Sequence, residues 1–132
     1  MADLANSLED LVATWAFRSG AGAPTRPAAQ FIALYTAVTD AEAGTGTEVT
    51  GGAYARAAVT FGAPSDGAMA NDAEINMTAS GANWGTVTHF CIRDASTAGN
   101  ALSIVKALAA SKVINDGDTL QFAAGAITVA IA

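Results

Sequence analysis

The chain has 132 residues, enough for one domain that buries a core without disulfide or metal staples. Of these, 52% are hydrophobic, 14% are charged and about a quarter are alanine, a globular composition whose apolar content is largely small side chains. A formal net charge of −6 with only six basic residues (Arg18, Arg26, Arg56, Arg93, Lys106, Lys112), none in a run, excludes a nucleic-acid binder, which needs clustered Lys and Arg.

The whole of 1–132 is expected to be a single domain, opening with an N-terminal segment 1–20 that holds a helix over 3–17. Leu4, Leu8, Leu11, Val12 and Trp15 recur there at three- and four-residue spacing and share one face. Asp3 suits a helix start, and Ser19-Gly20-Ala21-Gly22 with Pro24 stops it. So short a helix must dock its stripe on its own chain or on a neighbour; docking on its own sandwich is expected. No basic leader or continuous apolar core marks 1–17 as a signal peptide. No apolar run approaches the ~18 residues of a membrane helix.

From Pro27 onward the pattern has period two. Phe31 to Thr36 is nearly all apolar and predicts a buried strand. A glycine-rich polar loop follows over 39–53. Tyr54 to Phe61 alternates, Pro64 to Gly67 marks a turn, and Glu74 to Met77 is a short strand. Trp84 to Arg93 is the clearest strand, with Val87, His89 and Cys91 expected on one side and Thr88, Phe90 and Ile92 on the other. Leu102 to Leu108 fits helix or strand; Lys112 to Ile114 and the Asn115-Asp116-Gly117-Asp118 turn tip it to strand. Thr119 to Phe122 and Ile127 to Ile131 close the set. Short strands at such spacing predict an all-β antiparallel sandwich, jelly-roll or immunoglobulin-like, with a short N-terminal amphipathic helix.

Candidate chemistry is sparse. His89 is the sole histidine and Cys91 the sole cysteine, so no multi-histidine metal site and no intrachain disulfide can form. Same-strand neighbours are seldom aimed at each other, so a Cys–His nucleophile pair is not expected. Asn115 to Asp118 opens like a calcium loop but lacks its terminal Glu, and reads as a tight turn. Gly44 to Thr47 lacks the Lys-Ser/Thr ending of a phosphate loop. Asn76-Met77-Thr78 matches a glycosylation sequon by coincidence. The expectation is no enzyme, no catalytic residue, no cofactor and no metal. Arg56 and Arg93 sit in charge-poor strands, paired with a carboxylate such as Asp94 or Glu48, or else used in a subunit contact. Tyr54 and Trp84 read as core or loop anchors, or as interface anchors.

In order along the chain, the helix, Phe31 to Thr36, Gly44 to Arg56, Val59 to Ala63, Asp66-Gly67, Trp84 to Phe90, Asp94-Ala95 and Gly117 to Gly125 together resemble a family of small tailed-bacteriophage virion proteins, loosely called tail-fibre or decoration proteins. The pattern departs from that family at Asn76 to Ser80, where a more aromatic strand ending is usual. The resemblance implies a β-sandwich structural protein: a capsid decoration, or cement, protein on the outer head surface. It would be made in the host cytoplasm, be trimeric, and clamp neighbouring copies of the major capsid protein against DNA pressure. The alternative is a tail, baseplate or tail-fibre-associated component. Neither nucleic acid nor membrane is a partner. Interface candidates are Leu4, Leu8, Trp15, Glu48, Tyr54, Arg56 and Arg93.

Overall fold

The structure is a computed structural model that describes residues 3–20 and 22–131. The outermost positions of the expected domain, and Ala21 in the helix-stopping run, lie outside the described residues. In chain order the elements are α1 (Asn6–Phe17), β1 (Phe31–Asp40), β2 (Thr45–Glu48), β3 (Ala57–Ala58), β4 (Ala68–Ala70), β5 (Ile75–Thr78), β6 (Gly85–Arg93), β7 (Lys106–Ile114), β8 (Thr119–Phe122) and β9 (Thr128–Ala130). All strand pairs are antiparallel. A five-stranded sheet runs β2-β1-β6-β7, with β3 also pairing β1; β4-β9 and β5-β8 form two ribbons. This is the mostly-β, sandwich-like fold expected.

The main core lies between the large sheet and the β5-β8 ribbon. Ile32, Leu34, Phe90 and Ile92 on one side meet Ile75, Met77, Leu120 and Phe122 on the other. Both ribbon strands alternate buried and exposed residues, the pattern of strands with one wet face. The Phe90 and Phe122 rings meet edge-on, with centroids 5.7 Å apart. β1 is buried on both faces. Ile32 and Leu34 enter the main core, while Ala33 and Tyr35 join a second cluster with Cys91, Ala101 and Val105. Hence its unbroken apolar run.

Several expectations are corrected. The side-by-side set Val87, His89 and Cys91 does not hold, because the β6–β7 register shifts between Val87 and His89. Val87 packs with Phe90 and Ile92 in the main core, and Cys91 faces the second cluster. Between those pairs β6 advances two residues and β7 five, and the inward parity of β6 reverses across the irregularity. The segment 39–53 is not wholly loop: β1 continues to Asp40, a turn closes with the Gly44 N–H donating to Ala41 O at 3.2 Å, and β2 returns along β1. Gly44 has φ +72° and lies against Ala101, where a side chain would collide. The strand expected over 54–61 shrinks to β3, since Tyr54 and Arg56 are drawn into side-chain bonds described below. Regular pairing in 102–114 begins only at Lys106, and β4 joins β9 without any period-two signal of its own.

The helix also differs. It starts at Asn6, after Ala5, which gives no side-chain cap, because residues 3–5 are extended and bound to the sandwich. Leu4 forms a β-bridge with Ser103. The Asp3 N–H donates to Ala130 O at 2.8 Å, and the Ala5 N–H to Leu102 O at 3.1 Å. The Asp3 carboxylate accepts from Lys106 Nζ and from the Ala130 N–H, each at 2.9 Å. Beyond that clasp the Asn6 N–H donates to Glu42 O at 3.0 Å, and α1 runs on across a groove from the body. No strand comes within 8 Å of α1 between Cα atoms, and none of its residues is buried. The expected docking of the stripe on its own sandwich is met only in part: Leu8 and Val12 line a groove with Phe61, Met69 and Val129, while Trp15 stays exposed. Leu4 is buried outside the helix, Leu8 and Val12 are half-buried, and Leu11 and Trp15 are each 51% exposed.

Candidate functional site

Four of the interface candidates belong to one network that closes the end of the sandwich. Glu48 ends β2, Tyr54 and Arg56 lie on the return to β3, and Arg93 ends β6. Arg56 grips Glu48 with two bonds, Nε to Oε1 at 2.7 Å and Nη2 to Oε2 at 2.8 Å. Its Nη1 donates to the carbonyls of Ala95 and Ala98, both at 2.8 Å. The Tyr54 hydroxyl donates to Glu48 Oε1 at 3.0 Å and accepts the Leu34 N–H at 2.9 Å. Arg93 Nη1 donates to the Tyr35 hydroxyl and to Gly44 O, and Nη2 to Gly99 O, all at 3.0 Å. Both guanidiniums thus tie the 94–100 loop to the β1–β2 side, using the planar fork that a lysine lacks.

The electrostatics follow from that packing. Burial alone would raise the Glu48 carboxyl, but bonds from Arg56 and Tyr54 hold it below the ordinary carboxylate range. Arg56 is pushed up by its bonds to Glu48. Burial raises both the Tyr54 and Tyr35 hydroxyls, keeping them protonated. Of the two carboxylates considered for Arg56, Glu48 is the partner. Asp94 instead accepts the Asn100 backbone N–H at 2.7 Å and its side-chain amide at 3.1 Å. Trp84 anchors the next turn: its ring meets Tyr54 edge-on at 5.5 Å and its Nε1 donates to Gly52 O at 3.0 Å.

The residues with chemical potential are engaged locally. His89 Nδ1 lies 2.8 Å from the hydroxyl of its neighbour Thr88. Cys91 is buried; its thiol donates to Ser103 O at 3.3 Å, and burial raises its pKa, which disfavours the thiolate a nucleophile needs. Asn115 to Asp118 folds as a turn, with the Asn115 N–H donating to Asp118 Oδ2 at 2.9 Å and Gly117 at φ +88°. Among the described residues there is no group of three or more metal-ligating side chains.

Sequence reasoning missed Asn71 and Ser103. Asn71 is 3% exposed; its amide donates to Ala73 O at 2.8 Å and Ala123 O at 3.0 Å, and its Oδ1 accepts the Ile127 N–H at 2.8 Å. The buried Ser103 hydroxyl accepts the Ile92 N–H at 2.9 Å and donates to Ile104 O at 2.9 Å. Both complete backbone bonding where strands end. A polar residue among small ones carries no signal of that.

The remaining candidates mark an apolar surface. An open groove of about 660 Å³ separates α1 from the body, lined by residues including Leu4, Leu8, Val12, Phe61, Met69 and Val129. Leu11 and Trp15 stand beside it, and Ile131, 49% exposed, is also on its lining. A family model described as podophage GP4 fiber I protein gp80 matches residues 3–130. No curated protein matches the chain.

Proposed function

The chain belongs to the podophage GP4 fiber I protein gp80 family, a family of phage structural proteins, and from that premise we propose that it is a fibre-associated component of the phage particle. The observation that carries this reading is the family match over residues 3–130. Its description as a fibre protein favours the tail- or fibre-associated role over head cement. A structural fibre protein is not a class of enzyme. The body supports the reading, since polar groups that could have served chemistry are spent on bracing: Arg56 and Arg93 hold loops, and Cys91 is buried as a thiol. The protein acts by contact area and shape, with other proteins of the fibre or tail as its partners.

The test is to prepare particles from phage lacking this chain. The fibre role predicts heads as heat-resistant as wild type, impaired adsorption to the host, and a few to a few dozen copies per complete particle. Fragile heads with intact tails, and hundreds of copies, would restore the cement role.

A further inference from the structure

We propose that residues 3–17 form an exchangeable arm: in a pair of copies, each arm leaves its own body and closes the body of the other. The arm is seated in a slot between two segments of the body. On one side Leu4 bridges Ser103, the Ala5 N–H donates to Leu102 O at 3.1 Å, and the Ile104 N–H donates to Asp3 O at 2.9 Å. On the other side the Asp3 N–H donates to Ala130 O at 2.8 Å, and the Asp3 carboxylate accepts from Lys106 Nζ and the Ala130 N–H. Residues 3–5 are thus a short strand laid between 102–104 and 130. A body without an arm would lose the partners of these backbone groups and of the Lys106 ammonium, so some arm has to fill the slot.

Nothing in that seat requires the arm and the body to belong to one chain. The arm joins its body through 18–30, and no backbone hydrogen bond ties described residues of 19–29 to the rest of the described chain. Fully extended, 18–30 reaches up to about 43 Å, more than the roughly 36 Å breadth of a domain of this length. α1 has no buried residue to hold it back, and the groove contacts of Leu8 and Val12 travel with the arm. Exchange therefore trades like for like in the slot, the reason that swapping is a low-cost route to dimers. It adds contact where the two crossing chains run side by side. The hinge end of α1 lies there and carries Trp15 and Phe17, 51% and 88% exposed. With both slots filled, the exchange closes at two copies. A free chain closes on itself because its own arm is always at hand, whereas copies crowded on a particle present a neighbour's arm at comparable effective concentration.

Complementary charge variants of the full chain test the exchange without reference to the fibre role. Asp3→Lys sets two ammonium groups together in its own slot, and Lys106→Asp sets two carboxylates together. Both side chains are partly exposed, and circular dichroism checks that each variant folds. Mixed in equal amounts, the two variants restore both ion pairs only by trading arms. Sedimentation equilibrium should then show a dimer holding one of each, at concentrations about tenfold below those at which either variant pairs with itself. The double variant re-forms the pair within one chain and should associate no more than the wild type. A specific protease site placed in 22–26 separates exchange from face-to-face docking: cutting both linkers should release monomer-sized bodies, each still holding an arm. No mixed dimer, a mixed dimer that survives the cutting, a ring of three or more copies, or a double variant that pairs as strongly as the mixture overturns the proposal.

Discussion

At the scale of single residues, the Glu48–Arg56 pair makes the protein sensitive to acid. The folded Glu48 carboxyl is held below its ordinary value. Its contribution to stability is therefore complete above the unfolded carboxyl value of about 4.3 and is lost as pH falls through the lower folded value. Urea midpoints measured from pH 7 to pH 3 should fall more steeply for the wild type than for Glu48→Gln. Arg56→Ala strips the carboxylate of its partner and frees the Ala95 and Ala98 carbonyls. Because the Arg56 side chain is only 7% exposed, the expected cost is about 2–4 kcal/mol, read from the same denaturation curves. That Arg56 could meet a carboxylate, Asp94 or Glu48, was legible from its charge-poor surroundings; that the partner is Glu48 was not. The second attachment, to backbone carbonyls some forty residues away, was not, since no composition rule reports which loop a guanidinium will reach.

At the scale of elements, strands with one buried face or two were readable, because alternation and unbroken apolar runs each report a specific environment. β1, β5, β6 and β8 are the cases. The irregularity between β6 and β7 was invisible: β7 advances five residues, Lys112 to Ala107, where β6 advances two, and only pairing reveals it. β4 was missed because an Ala-Met-Ala strand carries no contrast between its faces. For α1, the spacing that suggested a stripe was real, while its destination was set by Asp3, Leu4 and Ala5, which bind the sandwich and fix where the helix departs. This separates two kinds of leucine. Leu34→Ala, at a fully buried site, should cost about 2–5 kcal/mol. Leu11→Ala, at a half-exposed site on a helix with no buried residue, should cost under about 0.5 kcal/mol. Thermal or urea unfolding of the two variants checks the contrast; comparable losses would mean that α1 is docked in solution.

At the scale of the whole molecule, the sandwich is a stiff body whose loops are tied down by charged side chains, carrying one loosely attached amphipathic element. That division suits a part in an assembly: rigidity holds geometry under load, and the unpacked helix offers surface that has not been spent on folding. Proteolysis under native conditions should cut the 22–26 segment first, since exposed stretches without regular hydrogen bonding are preferred sites. The 94–100 loop should resist as long as Arg56 and Arg93 hold it, and become cleavable in Arg56→Ala. The direct bond between Asp3 and Ala130 has a topological consequence. The two extremities of the described body meet side by side, so a short linker can join them while the chain is reopened elsewhere. A circular permutant of that kind, cut at the exposed Asp66-Gly67 turn, whose Gly67 O accepts the Ile131 N–H at 2.8 Å, should keep the same sheet pairing. The new ends would then lie beside the old ones, because Ala68 pairs with Ala130.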